Sequence, residues 1–165
     1  MLFLFDANVL INASNTYYPL DQVPEFWSWI EHQGTAGNIK LPLEILDEVL
    51  AGFKKGDPLL DWINNHKDCL LLDEDVDPPL VQHVVTNGYA PDLTDFEIIE
   101  IGRDPFLIAY ALAGSDRCVV TAEVSKPGKQ RQNRKVPDVC NTLGVTCYNP
   151  FLVYRALGFR TAWKA

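Results

Sequence analysis

The chain opens on a run that leaves few structural options: Met1-Leu2-Phe3-Leu4-Phe5-Asp6-Ala7-Asn8-Val9-Leu10-Ile11. Leu2–Phe5 is apolar without polar alternation, the pattern of a strand covered on both faces in a parallel sheet. Asp6 ends that strand. An ionised carboxylate in such a place is costly unless it is hydrogen-bonded, paired with a cation or bound to a metal. In open α/β sheets ligands bind beyond the carboxyl ends of the strands, so Asp6 seeds a site hypothesis.

The rest of the pattern alternates strands with helices. Helices are expected over 24–33, 42–51, 57–63, 79–86, 92–100, 104–113 and 151–156, and further strands over 38–41, 69–72, 118–121 and 145–148. Pro24, Pro42, Pro58 and Pro105 stand near helix starts, and Gly34, Gly52 and Gly114 just past helix ends, the usual asymmetry of the two residues. Asp104 before Pro105 is expected to cap its helix. The following Phe106-Leu107-Ile108-Ala109-Tyr110-Ala111-Leu112 is apolar all round, so this helix should be buried. Such alternation implies a three-layer α/β/α sandwich around a short parallel sheet. With 47% hydrophobic and 22% charged residues, one globular domain spanning 1–165 is expected.

Acids gather where these elements end. Asp6 and Glu123 close strands, and Asp104 opens the buried helix. Glu48 borders the apolar face formed by Ile45, Leu46, Val49, Leu50 and Phe53. Each has an ordinary reading as well: Asp6 and Asp104 as helix caps, Glu48 as a solvated helix margin, Glu123 as a loop acid. Asp138, in Val136-Pro137-Asp138, is a further cap or a further member of the group. Together such acids repel one another without counter-charge, and an all-oxygen donor set favours Mg²⁺ or Mn²⁺ over zinc. Paired hard cations about 3.5–4 Å apart clamp the attacking and leaving oxygens of phosphodiester hydrolysis.

The formal net charge of −8 argues against a general nucleic-acid binder. Yet five of the 14 basic residues, Lys126, Lys129, Arg131, Arg134 and Lys135, fall within 126–135, so local and global charge disagree. Cys69, Cys118, Cys140 and Cys147 make no CxxC pair and no metal spacing with His32, His66 or His83, which suits buried thiols. The apolar start lacks a basic leader and is broken by Asp6, unlike a signal peptide. No apolar run approaches the roughly 20 residues of a membrane span. A cytoplasmic protein without membrane contact is expected.

Leu4-Phe5-Asp6-Ala7-Asn8-Val9-Leu10-Ile11 resembles the first-strand motif of PIN domains. Glu48-Val49-Leu50-Ala51-Gly52 resembles the acidic helix motif of that family. Asp104-Pro105-Phe106-Leu107-Ile108-Ala109-Tyr110-Ala111 is similar to its third motif, and Val120-Thr121-Ala122-Glu123 stands where the fourth is expected. The stretch from Tyr17-Tyr18-Pro19 to Trp27-Ser28-Trp29 and the segment Lys135-Val136-Pro137-Asp138-Val139-Cys140 resemble a bacterial PIN-like branch of unknown function. The resemblance implies a metal-dependent endoribonuclease, a toxin-like one with a neutralising antitoxin-like partner, for which a second copy of the chain is another candidate associate. It carries Asp6, Glu48 and Asp104 as ligands of Mg²⁺ or Mn²⁺, Glu123 as a supporting acid, and Asn8 and Thr121 as polar groups behind them. Ala7 departs from the hydroxyl residue common there, and Glu123 is one methylene longer than Asp, so Asp138 could serve as the fourth acid.

In this reading Lys126, Lys129, Arg131, Arg134 and Lys135 hold RNA phosphates beside the acids, although a solvated loop fits the same charges. Tyr17, Tyr18, Phe26, Trp27 and Trp29 either stack bases or pack the core. A different class of protein also fits: a PIN-like scaffold with weak chemistry that binds RNA or a partner. A small-molecule phosphohydrolase with an aspartyl nucleophile fits less well, because Asn8 stands where a second Asp is usual.

Overall fold

The structure, a computed structural model, describes residues 1–164. Among these residues four strands form one parallel sheet in the order β2-β1-β3-β4. They are β1 (Leu2–Phe5), β2 (Ile39–Lys40), β3 (Arg117–Val120) and β4 (Cys147–Tyr148). β1 is central, with Phe5 in register with Val120 of β3 and Phe3 with Ile39 of β2. Leu4, Phe5, Val119 and Val120 are fully buried, as a run without polar alternation requires.

Helices cover both faces and give the three-layer α/β/α sandwich. The chain leaves β1 through α1 (Ala7–Asn12), whose last turn widens into a π-helical segment, Ala13–Tyr17. α2 (Pro24–Thr35) precedes β2; α3 (Leu43–Ala51), α4 (Pro58–Leu70), α5 (Pro78–His83), α6 (Asp95–Ile101) and α7 (Asp104–Leu112) precede β3. α8 (Val136–Leu143) leads into β4, and α9 (Pro150–Ala156) follows it. On one face Phe5 meets Tyr154 of α9 at 6.4 Å between ring centroids, and Tyr154 meets Phe26 of α2 at 5.1 Å. On the other, α7 packs against β1 and β3 with α3, α5 and α8 beside it. Phe26, Trp27 and Trp29 are buried, so these aromatics belong to the core. Tyr17 is exposed and meets the Phe151 ring edge-on at 4.9 Å.

Several local expectations give way to packing. The strand expected over 69–72 is instead the end of α4, whose face Leu59, Ile63 and Leu70 keeps helical spacing. Only a single parallel bridge, Leu41 to Leu71, remains of strand pairing there. Gly34 lies inside α2 rather than after it. A Cβ there would come within 2.9 Å of the Cys69 carbonyl, so the glycine permits α2 and α4 to approach closely. The helix expected to close at Asn87-Gly88 continues as a π-helical turn, Val84–Tyr89. Asp104 does not cap α7: Arg103 occupies the N-cap position and no side-chain capping bond is made. The acidic segment starts later than 92, with Thr94 and Glu97 forming a reciprocal capping box at Asp95.

Candidate functional site

The path from β1 to β2 runs one way along the sheet, and the path from β2 to β3 crosses back over β1. The reversal falls between β1 and β3, and crevices in parallel sheets open at such points beyond the carboxyl ends of the strands. Asp6 and Thr121 are the residues that follow these two strands. The Asp6 amide donates to the Val120 carbonyl at 2.9 Å, which locks the two strand ends side by side.

Asp6 is 5% exposed and Thr121 1%. Thr121 Oγ1 donates to Asp6 Oδ2 at 2.7 Å, and Asn8 Nδ2 donates to the same oxygen at 2.5 Å. Asn8 is fixed in turn, because its Oδ1 accepts from the Ala122 amide at 2.8 Å. Asn8 and Thr121, expected to support Asp6, do stand on it, and both bonds reach one oxygen. Even so, burial pushes the Asp6 carboxyl up to about 6, and the charges of Glu123 and Glu48 add to the shift. Two hydrogen bonds do not replace the water that this carboxylate has lost.

Asp104, in the first turn of α7, is more strongly affected. Burial first, then the carboxylates of Asp6, Glu123 and Glu48, push it up to about 8, with Lys135 opposing. Glu48 reaches toward this group from the exposed margin of α3. Desolvation raises its carboxyl, and Arg103 partly offsets the rise. Glu123 arrives from the β3 side and is already engaged. Its Oε1 accepts from Lys135 Nζ and its Oε2 from the Val136 amide at the start of α8, each at 2.8 Å. The four acids therefore act on one another electrostatically from four elements. Asp138 serves otherwise: its oxygens accept from Ser125 Oγ and the Lys126 amide, which pins the loop after β3 to α8.

In kind, these donors fit a hard divalent cation, since all are carboxylate oxygens. In spacing, no three His, Cys, Asp or Glu side chains among the described residues stand close enough together to hold a metal. Mutual repulsion opposes closer approach.

The basic stretch divides into two groups. Arg131 pairs with Glu97 at 2.6 Å and Asp92 at 2.8 Å, which ties the loop to α6. Arg134 donates to the Gly88 and Asp138 carbonyls and to Thr142 Oγ1. Lys135 is held by Glu123. Lys126 and Lys129 make no ion pair among the described residues. They line a cleft of ≈ 470 Å³ that also includes Glu100, Asp104, Glu123 and Lys135. Its walls are polar and of mixed charge, and Glu48 and Arg103 border a separate hollow.

Arg103 acts on Glu48, and the buried Tyr89 lies within the field of Asp104 and Glu123, though neither residue was singled out in the sequence. Tyr89 follows Asn87-Gly88, a pair that normally announces a turn, and only the π-helical continuation carries its ring inward. The one available signal for Arg103 was its position directly before the Asp104-Pro105 helix start. No helix is long and apolar enough to cross a membrane among the described residues. No curated protein and no solved structure matches the chain. The model of a domain of unknown function, DUF4411, matches residues 3–161, nearly the whole length, and the chain belongs to that family.

Proposed function

We propose that the chain is a PIN-like endoribonuclease dependent on Mg²⁺ or Mn²⁺, the toxin-like member of a toxin–antitoxin-type pair, working in the cytoplasm. The observation that carries this reading is the juxtaposition of buried Asp6 with Asp104 at the crevice, beside a cleft that presents Lys126 and Lys129. The motif resemblances at Asp6, Glu48 and Asp104 support it. These three would hold the cation on drawing closer together than they stand here, with Glu123 as a supporting acid. A bound cation of this kind lowers the pKa of water and stabilises charge on the scissile phosphate.

The remaining work belongs to the chain. Thr121 and Asn8 fix the Asp6 rotamer through Oδ2, so the carboxylate is held without reorganisation. Lys126 and Lys129 supply the positive charge that a polyanion needs near four carboxylates. On α6, whose Glu100 and Ile101 line the cleft, Phe96 and Ile99 are 67% and 76% exposed and offer apolar contact to an antitoxin-like partner.

A second reading is favoured by Glu123, whose two oxygens are both taken by the protein. On that reading the acids turn over slowly, and the cleft binds RNA or a partner. Incubating the purified protein with labelled single-stranded RNA and Mn²⁺ separates the two. The nuclease reading expects cleavage that EDTA abolishes and that falls to background in a folded Asp6→Asn variant. Equal cleavage by wild type and Asp6→Asn would contradict the site, and binding without cleavage would favour the second reading.

A further inference from the structure

Two thiols face each other where α8 folds back onto β4. Successive strand residues alternate between the faces of a sheet, and residues in register share a face. Phe5 points to the α9 side, where it meets Tyr154, so Leu4 points to the opposite side. Leu4 is in register with Val119, and Val119 with Cys147. Cys147 therefore projects from β4 to the side where α8 packs against that strand. Cys140 lies on the inner stripe of α8 with Val136 and Val139, and all three are fully buried. Gly144 reverses the chain at a φ of 71°, and the Val145 amide donates to the Cys140 carbonyl at 2.9 Å. The turn brings β4 beneath the helix it leaves, and there the Cys140 thiol donates a hydrogen bond to Cys147.

The remaining cysteines lack this arrangement. Cys147 is half-buried and lines a cleft of ≈ 190 Å³ with Thr121, Ser125, Pro137 and Asn149, room for a few water-sized molecules. The hydrogen bond from Cys140 lowers the Cys147 thiol from its ordinary value, against burial. The thiolate is the nucleophilic form. Cys69 is also half-buried, but its Sγ donates to the His66 carbonyl at 3.0 Å and burial raises it. Cys118 is buried and in register with Phe3, on the other face of the sheet.

We propose that Cys147 and Cys140 form a peroxide-reactive dithiol, Cys147 attacking and Cys140 resolving. The Cys147 sulfur attacks one peroxide oxygen. An S–O bond forms, the O–O bond breaks, and the departing hydroxide takes the Cys147 proton and leaves as water. Cys140 then attacks the sulfur of the resulting sulfenic acid. An S–S bond forms, the S–O bond breaks, and the hydroxyl leaves with the Cys140 proton as a second water. The two thiols give up two electrons, and the peroxide receives them. An accessible thiol of lowered pKa beside a resolving cysteine is the arrangement this chemistry requires.

The test treats the folded full-length chain with hydrogen peroxide in EDTA. The protein is then unfolded, its remaining thiols are alkylated, and trypsin digestion is followed by mass spectrometry. Cleavage after Lys135 and Arg155 releases one peptide that holds both Cys140 and Cys147. That peptide should lose two hydrogens and both alkylation sites, and dithiothreitol should restore them. Cys69 and Cys118 should stay alkylatable, with Cys147 reacting at least about tenfold faster than Cys69. In Cys140→Ala, oxidation should stop at a Cys147 sulfenic acid that dimedone traps. In Cys147→Ala, at a half-buried position where circular dichroism should show the fold retained, Cys140 should stay reduced. Wild-type protein that keeps all four thiols alkylatable, or that oxidises Cys69 first, would overturn the inference. Oxidation of Cys140 at an undiminished rate in Cys147→Ala would overturn it as well, by removing Cys147 as the attacking thiol.

Discussion

Replacing Asp104 by Asn should stabilise the metal-free protein, and the gain should grow with pH. The Asp104 carboxyl is pushed up to about 8, against an ordinary value of about 3.9 in an unfolded chain. Between those limits the folded state keeps a proton that the unfolded state has released. The folded state then binds more protons, so stability falls as pH rises through this window. The full linkage by pH 7 would be about 4 kcal/mol. Side-chain relaxation and water entry reduce such penalties, so about 1–3 kcal/mol is the working expectation. Asn keeps the shape of the protonated acid and cannot ionise. It forfeits no cap, because Asp104 makes no side-chain capping bond. Urea unfolding in EDTA, followed by circular dichroism at pH 5, 6, 7 and 8, measures the effect. Near pH 5 the two proteins should differ little, and by pH 8 the variant should lead by about 1–3 kcal/mol, or several degrees in Tm. Parallel stability curves across this range, or a variant less stable at pH 8, would refute the picture of a desolvated, repelled carboxylate.

Two other outcomes follow from the same structure. Changing Lys126 and Lys129 to Gln in a cleavage-deficient background should reduce the log–log salt slope of single-stranded RNA binding by about 0.7 for each phosphate left unneutralised, read by fluorescence anisotropy, whereas Arg131→Gln should leave the slope unchanged because Arg131 is already held by Asp92 and Glu97. Trp29→Ala, removing a ring that is 1% exposed between α2 and α9, should cost about 3–5 kcal/mol in denaturant unfolding without altering the Mn²⁺ affinity of the folded protein.

The sheet and its layers were legible wherever the pattern was strong and local. Leu2–Phe5 could hardly be anything but an interior strand, and the apolar helix between Pro105 and Gly114 could only be buried. The 69–72 segment misled because Cys69-Leu70-Leu71-Leu72 is apolar whether read as a strand or as the end of a helix. The packing of Leu59, Ile63 and Leu70 decides between them. Asp104 looked like a cap by residue type, but α6 ends at Gly102, whose φ of 58° belongs to the left-handed region. That tight turn leaves Arg103 at the N-cap position and moves Asp104 into the first helical turn.

The site was legible in part for similar reasons. Asp6 and Thr121 follow strands whose carboxyl ends share one edge of a parallel sheet, so a common edge could be anticipated, while the pairing of β1 with β3 that brings them together could not. The basic stretch could not be divided from sequence alone, because the acids that occupy Arg131 lie 39 and 34 residues away at Asp92 and Glu97. Asp138 could equally have been a cap or a ligand. Its bonds to Ser125 and the Lys126 amide come from a loop fold that no periodicity encodes.

Anomalous scattering from crystals grown with saturating Mn²⁺ is the most direct measurement of whether these acids form a cation site. The account predicts a manganese peak bounded by the Asp6 and Asp104 carboxylates, on the Glu48 and Glu123 side of the crevice, and absent in Asp6→Asn. Crystals at saturating Mn²⁺ that show no peak between Asp6 and Asp104 would contradict it.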